Sequence, residues 1–189
     1  DLKEKISLFC NISPKNVIEN LDADSIYDVP IMFEKQSVSN IIMNRFNLKE
    51  TKNDLLNWHD LCKKDDNINE SVEIAIVGKY VSLKDAYISI YEALHHSEKV
   101  NNVNVKIRWI DSEILEKKNA EKILDGIDGM IVPGGFGNRG IEGMINALKY
   151  ARENNIPCLG ICLGMQLMVI EFMRNVVGLK DANSLEFSS

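Results

Sequence analysis

The chain has 189 residues, 45% of them apolar and 26% charged, with a formal net charge of −6. That composition fits one large or two small globular domains and excludes disordered and collagen-like classes. It also holds no run near the ~18 apolar residues of a membrane span, no secretory pattern in its opening DLKEKISLFC, and no basic footprint for nucleic acid.

In chain order, the apolar run KISLFC (5–10) reads as a buried strand, and Ser13 with Pro14 as the opening of a short helix through Asn20. DSIYDVP alternates Ile26, Tyr27 and Val29 before Pro30, which predicts a second strand, and IMFEKQSVSNIIMNRF predicts one or two helices. Thr51 is a candidate cap for an amphipathic helix that aligns Leu55, Trp58, Leu61 and Cys62 on one face. The polar, aperiodic KKDDNINES then reads as a linker, with a domain boundary near Asn67 separating 1–66 from 67–189.

Beyond the linker, strand and helix alternate regularly. VEIAIVG (72–78), VNVKIRWID (103–111), GMIVPGG (129–135) and IPCLGI (156–161) read as strands. DAYISIYEALHHSEK, NAEKILDGI, GMINALKYARENN and GMQLMVIEFMRNV read as helices. This order predicts an α/β fold, an open, mostly parallel sheet with helices on both faces and ligands at the carboxyl ends of its strands. Both glycine-rich loops, PGGFGNRG and GICLGMQ, fall at such ends and are expected to face each other across one crevice.

The second loop sets Cys162 in a Gly-x-Cys-x-Gly turn. Gly160 and Gly164 let a strand reverse sharply into a helix and lift the thiol clear of the backbone. A helix starting near Leu163 would present unpaired N–H groups and a partial positive charge that lowers a thiol's pKa, with the Leu163 N–H aimed at a developing oxyanion. PGGFG can supply a second N–H. On these residues alone Cys162 is either a nucleophile or a small side chain packed in a tight corner. The four cysteines, Cys10, Cys62, Cys158 and Cys162, contain no Cys-x2-Cys pair and have no His-rich partner, so no metal site and a reducing, cytoplasmic setting are expected.

GKYVSLKDAYISIYEALHH, RWIDSEILE, the whole stretch from MIVPGGFG to GICLGMQLMVIEF, and NSLEF resemble the glutamine amidotransferase domain of the CTP synthase family. KISLFCNI and DADSIYDVPIMFEKQ resemble the end of its synthetase domain. The resemblance implies a flavodoxin-like class I glutamine amidotransferase fold, preceded by the last piece of a P-loop-type α/β synthetase domain. It implies a ligase that phosphorylates UTP with ATP and Mg2+, then aminates it to CTP with ammonia from glutamine. In that reading Cys162 attacks the carboxamide to form a thioester, and Gly135 and Leu163 form the oxyanion hole. Leu163, Gly164, Met165 and Gln166 line the glutamine pocket, and Phe136 contacts the activator GTP.

On the synthetase side the resemblance assigns Lys5 to UTP or to CTP as inhibitor, and Leu21, Asp22 and Ala23 to the ATP adenine. Leu21 departs from the family's common basic residue, which leaves main chain for the purine contact. A homodimer, homotetramer or filament is implied as the assembly. The family's downstream His-x-Glu pair has no match in His59, His95 or His96, and no phosphate loop precedes Lys5, so an internal, catalytically incomplete piece of the protein is expected. The alternatives are a glutaminase domain of another class I amidotransferase, a piece acting only in assembly, and a chaperone-like or peptidase relative with a cysteine elbow.

Overall fold

The structure, a computed structural model, describes residues 1–49, 55–62 and 70–187. The chain folds as two compact units, Asp1–Asp66 and Asn67–Ser189. The predicted cap at Thr51, most of the predicted linker and the predicted boundary at Asn67 lie outside the described residues.

Among its described residues, all the regular secondary structure of unit one is helical. The predicted strand at 5–10 is instead helix α1 (Leu2–Cys10), because Asp1 and Glu4 close a reciprocal capping box and Asn11 ends the helix in the left-handed conformation. A short apolar run does not by itself distinguish period 2 from period 3.6, and here the cap decides. Of this helix only Ser7 is buried, and its hydroxyl donates to the Ile12 carbonyl at 2.7 Å. Pro14 opens only a 3-10 turn, Pro14–Asn16.

The predicted strand at DSIYDVP is a turn entering α2 (Asp28–Lys35). Pro30 lies in the first turn of that helix, where no intrahelical N–H is required of it, so it opens the helix instead of ending a strand. The expected helical stretch then splits into α2 and α3 (Val38–Arg45). Helix α4 (Leu56–Cys62) half-buries Leu55, Trp58, Leu61 and Cys62 as their spacing predicts. Trp58 Nε1 and Cys62 Sγ both reach the Tyr27 carbonyl, at 2.7 and 3.2 Å, and the Trp58 ring packs against Tyr27.

Unit two is a four-stranded, all-parallel sheet in the order β2-β1-β3-β4, built from β1 (Ser71–Gly78), β2 (Asn104–Asp111), β3 (Gly129–Val132) and β4 (Cys158–Gly160). One face carries α6 (Ile114–Lys117), α7 (Ala120–Leu124), α8 (Ile141–Glu153) and α9 (Leu163–Phe172). Their Leu115, Leu124, Met144, Leu148 and Leu167 join Ala75, Val77, Met130 and Val132 in one core. Each such side chain taken fully out of water contributes roughly 1.5–3 kcal/mol. The short α6 was not foreseen.

The opposite face is covered by a 3-10 turn, Lys84–Tyr87, leading into α5 (Ile88–Asn101). There Tyr87 stacks on Trp109, with ring centroids 6.4 Å apart, and Trp109 is in register with the fully buried Ile76. The chain leaves β1 for β2 on one side and returns to place β3 on the other. The carboxyl ends of β1 and β3 therefore flank the topological switch point, where open α/β sheets hold their ligands.

Candidate active site

Three loops leave the sheet at this edge. Cys162, directly after β4, has φ 54° and ψ −104°, a conformation strained for any residue but glycine, and it is exposed. The elbow closes through two backbone bonds: Ile161 N–H donates to the Val132 carbonyl at 2.9 Å, and Gly164 N–H to the Ile161 carbonyl at 3.0 Å. Both flanking glycines are required by contact. A Cβ on Gly160 would lie 2.5 Å from the Gly164 carbonyl carbon, and one on Gly164 would run into the Val132 carbonyl.

The loop after β3 lies against this elbow. A Cβ built on Gly134 would touch Cys162 Cβ at 3.6 Å, and one on Gly135 would touch Leu163 Cδ2 at 3.4 Å. Cys162, Gly135, Leu163 and Gly164 are thus brought together, with Gly135, Leu163 and Gly164 buried. As the first residue of α9, Leu163 has an N–H with no intrahelical acceptor. Gln166, one turn into the helix, is half-buried, whereas Met165 and Phe136 are 57% and 79% exposed.

The third loop follows β1. Lys79 is 2% exposed, and its ammonium donates to the carbonyls of Phe136, at 3.1 Å, and Gly137. Burial pushes this amine below the ordinary lysine value, the Arg139 charge adds to that, and Glu186 opposes it. Arg139 donates to the Lys79 carbonyl at 2.6 Å and pairs with Glu113. Tyr80 Oη accepts from Phe136 N–H at 3.4 Å. The Tyr87 hydroxyl, its pKa raised by burial, accepts from the N–H groups of Lys79 and Tyr80 at 3.1 and 3.2 Å. The end of β1 therefore holds the glycine loop by the Phe136 and Gly137 carbonyls and by the Phe136 N–H.

Glu186 was not foreseen as a site residue, although it stands within NSLEF. Gln166 Nε2 donates to Glu186 at 2.8 Å, and the Ser184 hydroxyl donates to Gln166 Oε1 at 2.9 Å. A carboxylate twenty residues along the chain thereby joins the helix that carries the thiol. Lys79 and Arg139 were missed as well, since a lone lysine after a strand and a lone arginine in a loop give no signal until the fold pairs them.

Other residues lie elsewhere. His95 Nδ1 is 2.7 Å from Glu98, and its ring meets the Tyr91 ring edge-on, so α5 fully occupies it. Lys5, Leu21, Asp22 and Ala23 are exposed residues of unit one, the last three outside any helix or strand. Cys158, within β4, has its thiol pushed up to about 11 by burial and behaves as part of the core.

Residues 82–187 match the family described as glutamine amidotransferase class-I, and residues 1–48 match that described as CTP synthase N-terminus. The CTP synthase of Caldanaerobacter subterraneus is 54% identical over 99% of this chain, and that of Thermococcus gammatolerans 52% identical over 97%. The chain spans only 35% and 34% of those two proteins. Among solved structures, the glutaminase domain of Trypanosoma brucei CTPS with bound acivicin superposes with a TM-score of 0.58 at 50% identity, covering 62% of this chain and 46% of that one. With the cysteine elbow, the opposed glycine loop and these matches together, the chain belongs to the glutamine amidotransferase class-I family.

Proposed function

We propose that this chain is the ammonia-releasing part of a CTP synthase, with Cys162 as its nucleophile. The observation that carries this reading is the strained elbow that holds Cys162 against Gly134 and Gly135. Near half-identity to CTP synthases along almost the whole chain supports the choice of that enzyme over other amidotransferases.

The Cys162 thiolate attacks the carboxamide carbon of glutamine, and the carbonyl electrons move onto oxygen. The N–H groups of Leu163 and Gly135 take up that charge in the tetrahedral intermediate. Collapse expels ammonia and leaves a thioester, which water cleaves to glutamate and free thiol. Glu186, acceptor-only and fixed by Gln166, suits the substrate's ammonium group, while Gln166 orients the pocket. The proton transfers need the His-x-Glu pair that the resemblance places further along the family's chain.

In the full-length protein the ammonia displaces phosphate from UTP activated on its 4-oxygen by ATP. Lys5 then faces the pyrimidine nucleotide, and the backbone of Leu21, Asp22 and Ala23 the adenine. In this reading Mg2+ is held with ATP, mainly by the rest of the synthetase domain. Exposed Phe136 offers a ring for the guanine of GTP as activator. Assembly as a homodimer or homotetramer belongs to the same reading. No helix among the described residues is long and apolar enough to cross a membrane.

The test is CTP formation from UTP and ATP by the full-length protein. Cys162→Ser should abolish the glutamine-supported rate and leave the ammonia-supported rate intact. A parent protein that makes no CTP with glutamine refutes the reading.

A further inference from the structure

After α9 the backbone widens into one π turn, Met173–Val177, which ends at Gly178 with φ 87°. The chain then folds back: Leu179 N–H donates to the Met173 carbonyl at 2.9 Å and Ala182 N–H to the Leu179 carbonyl at 3.0 Å. Arg174 spans this return. Its Nε donates to the Ala182 carbonyl at 2.7 Å, and its Nη1 donates to both carboxylate oxygens of Glu142, at 2.9 and 3.1 Å. The Arg174 side chain is only 20% exposed, and Glu142 lies in the first turn of α8, where the helix dipole favours a negative charge.

Two residues beyond Ala182, Ser184 donates to Gln166 Oε1, and its hydroxyl accepts from Glu186 N–H at 3.2 Å. Glu186 then accepts from Gln166 Nε2, and Phe187 packs against the core of unit two. Residues 182–187 are therefore pinned at two ends, by Arg174 and by Phe187, with the Gln166–Glu186 pair between. The planar guanidinium serves both partners at once, which a lysine ammonium on a flexible stem does poorly.

We propose that Arg174 is a positioning residue for glutamine recognition, tethering the 182–187 segment to α8 so that Glu186 and Gln166 keep their mutual geometry. This rests on the function proposed above. Arg174 touches neither the thiol nor the oxyanion donors. Its loss should weaken substrate binding without slowing chemistry on ammonia.

The experiment compares Arg174→Ala, Arg174→Lys and Glu142→Gln in the full-length protein. Arg174→Ala should raise KM for glutamine about tenfold with kcat within about twofold, a split that loss of ground-state binding produces. The ammonia-supported rate should stay at the parent value, Arg174→Lys should recover part of the loss, and exposed Glu142→Gln should give a smaller rise. Hydrogen exchange supplies a readout independent of activity: the amides of Glu186 and Phe187 should exchange faster in Arg174→Ala, with those of β3 unchanged. A parental KM with unaltered exchange overturns the proposal, as does a fall in glutamine- and ammonia-supported rates together with faster exchange in β3. If the parent shows no glutamine-supported activity, the proposed function fails. The exchange of Glu186 and Phe187 then decides the tether alone, faster exchange upholding it and unchanged exchange refuting it.

Discussion

Replacing Gly160 with alanine tests whether close approach of β4 and α9 builds the elbow. The new Cβ would meet Gly164 C at 2.5 Å, Gly164 O at 2.6 Å and Met165 N at 2.7 Å, all backbone atoms of the first turn of α9. Ordinary contact begins near 3.4 Å, so the strand end and the helix must part by nearly an ångström. No flexible side chain is available to give way. Overpacking of this kind costs about 1–3 kcal/mol, and the upper end applies because three main-chain atoms are met at once. Cys162 lies between the two elements that separate, so its sulfur moves relative to the N–H groups of Leu163 and Gly135. A displacement near 1 Å lowers a positioned reaction by about 100-fold. The assay pairs hydrogen exchange of β1 and β3 amides, which reads unit two alone, with glutamine-supported and ammonia-supported rates in the full-length protein. Gly126→Ala is the control: its φ is +78° with nothing within 4 Å, so it should cost about 1 kcal/mol and leave both rates unchanged. Parental protection and a parental glutamine rate in Gly160→Ala would refute the close-approach argument.

Iodoacetamide at neutral pH should label Cys162 well before Cys158, whose thiol is held protonated by burial; peptide mass spectrometry reads the order. Because that thiol's folded pKa is raised, its contribution to stability is full below the unfolded value near 9.0 and lost as pH rises towards about 11, and Cys158→Ala should flatten that alkaline decline in an exchange-based stability profile. Arg152→Ala should destabilise unit two by about 3 kcal/mol, more than Glu171→Gln, because it leaves a carboxylate whose side chain is 4% exposed with no countercharge from the guanidinium that held it at 2.9–3.2 Å and only the neutral Asn175 amide at 3.1 Å. Tyr87→Phe removes the acceptor of two N–H groups beneath the glycine loop and should cost about 1–3 kcal/mol, read as faster exchange at Lys79 and Tyr80.

The parallel sheet was legible because its strands are short, largely apolar runs punctuated by turn residues and alternating with helical periods, and the elbow because Gly-x-Cys-x-Gly is a local necessity of one sharp turn. Unit one was read less well. KISLFC and DSIYDVP have strand-like composition, yet Asp1 and Glu4 in one case and Pro30 in the other start helices, and a cap only a few residues long outweighs a pattern of similar length. The paired glycine loops were expected to meet, and they do, since strand alternation already implies one edge for both.

The sequence alone determined what local geometry demands: which segments are strands of the sheet, where the backbone reverses, and that a thiol stands at that reversal. Tertiary structure alone decided which polar groups pair around that edge. Lys79 binds carbonyls fifty-seven and fifty-eight residues away, Gln166 meets Glu186 twenty residues away, and Arg174 joins Glu142 to Ala182. Such pairings leave no periodic trace, because a single polar side chain is equally at home in solvent until the packing of β1, β3, α8 and α9 brings its partner within hydrogen-bond reach.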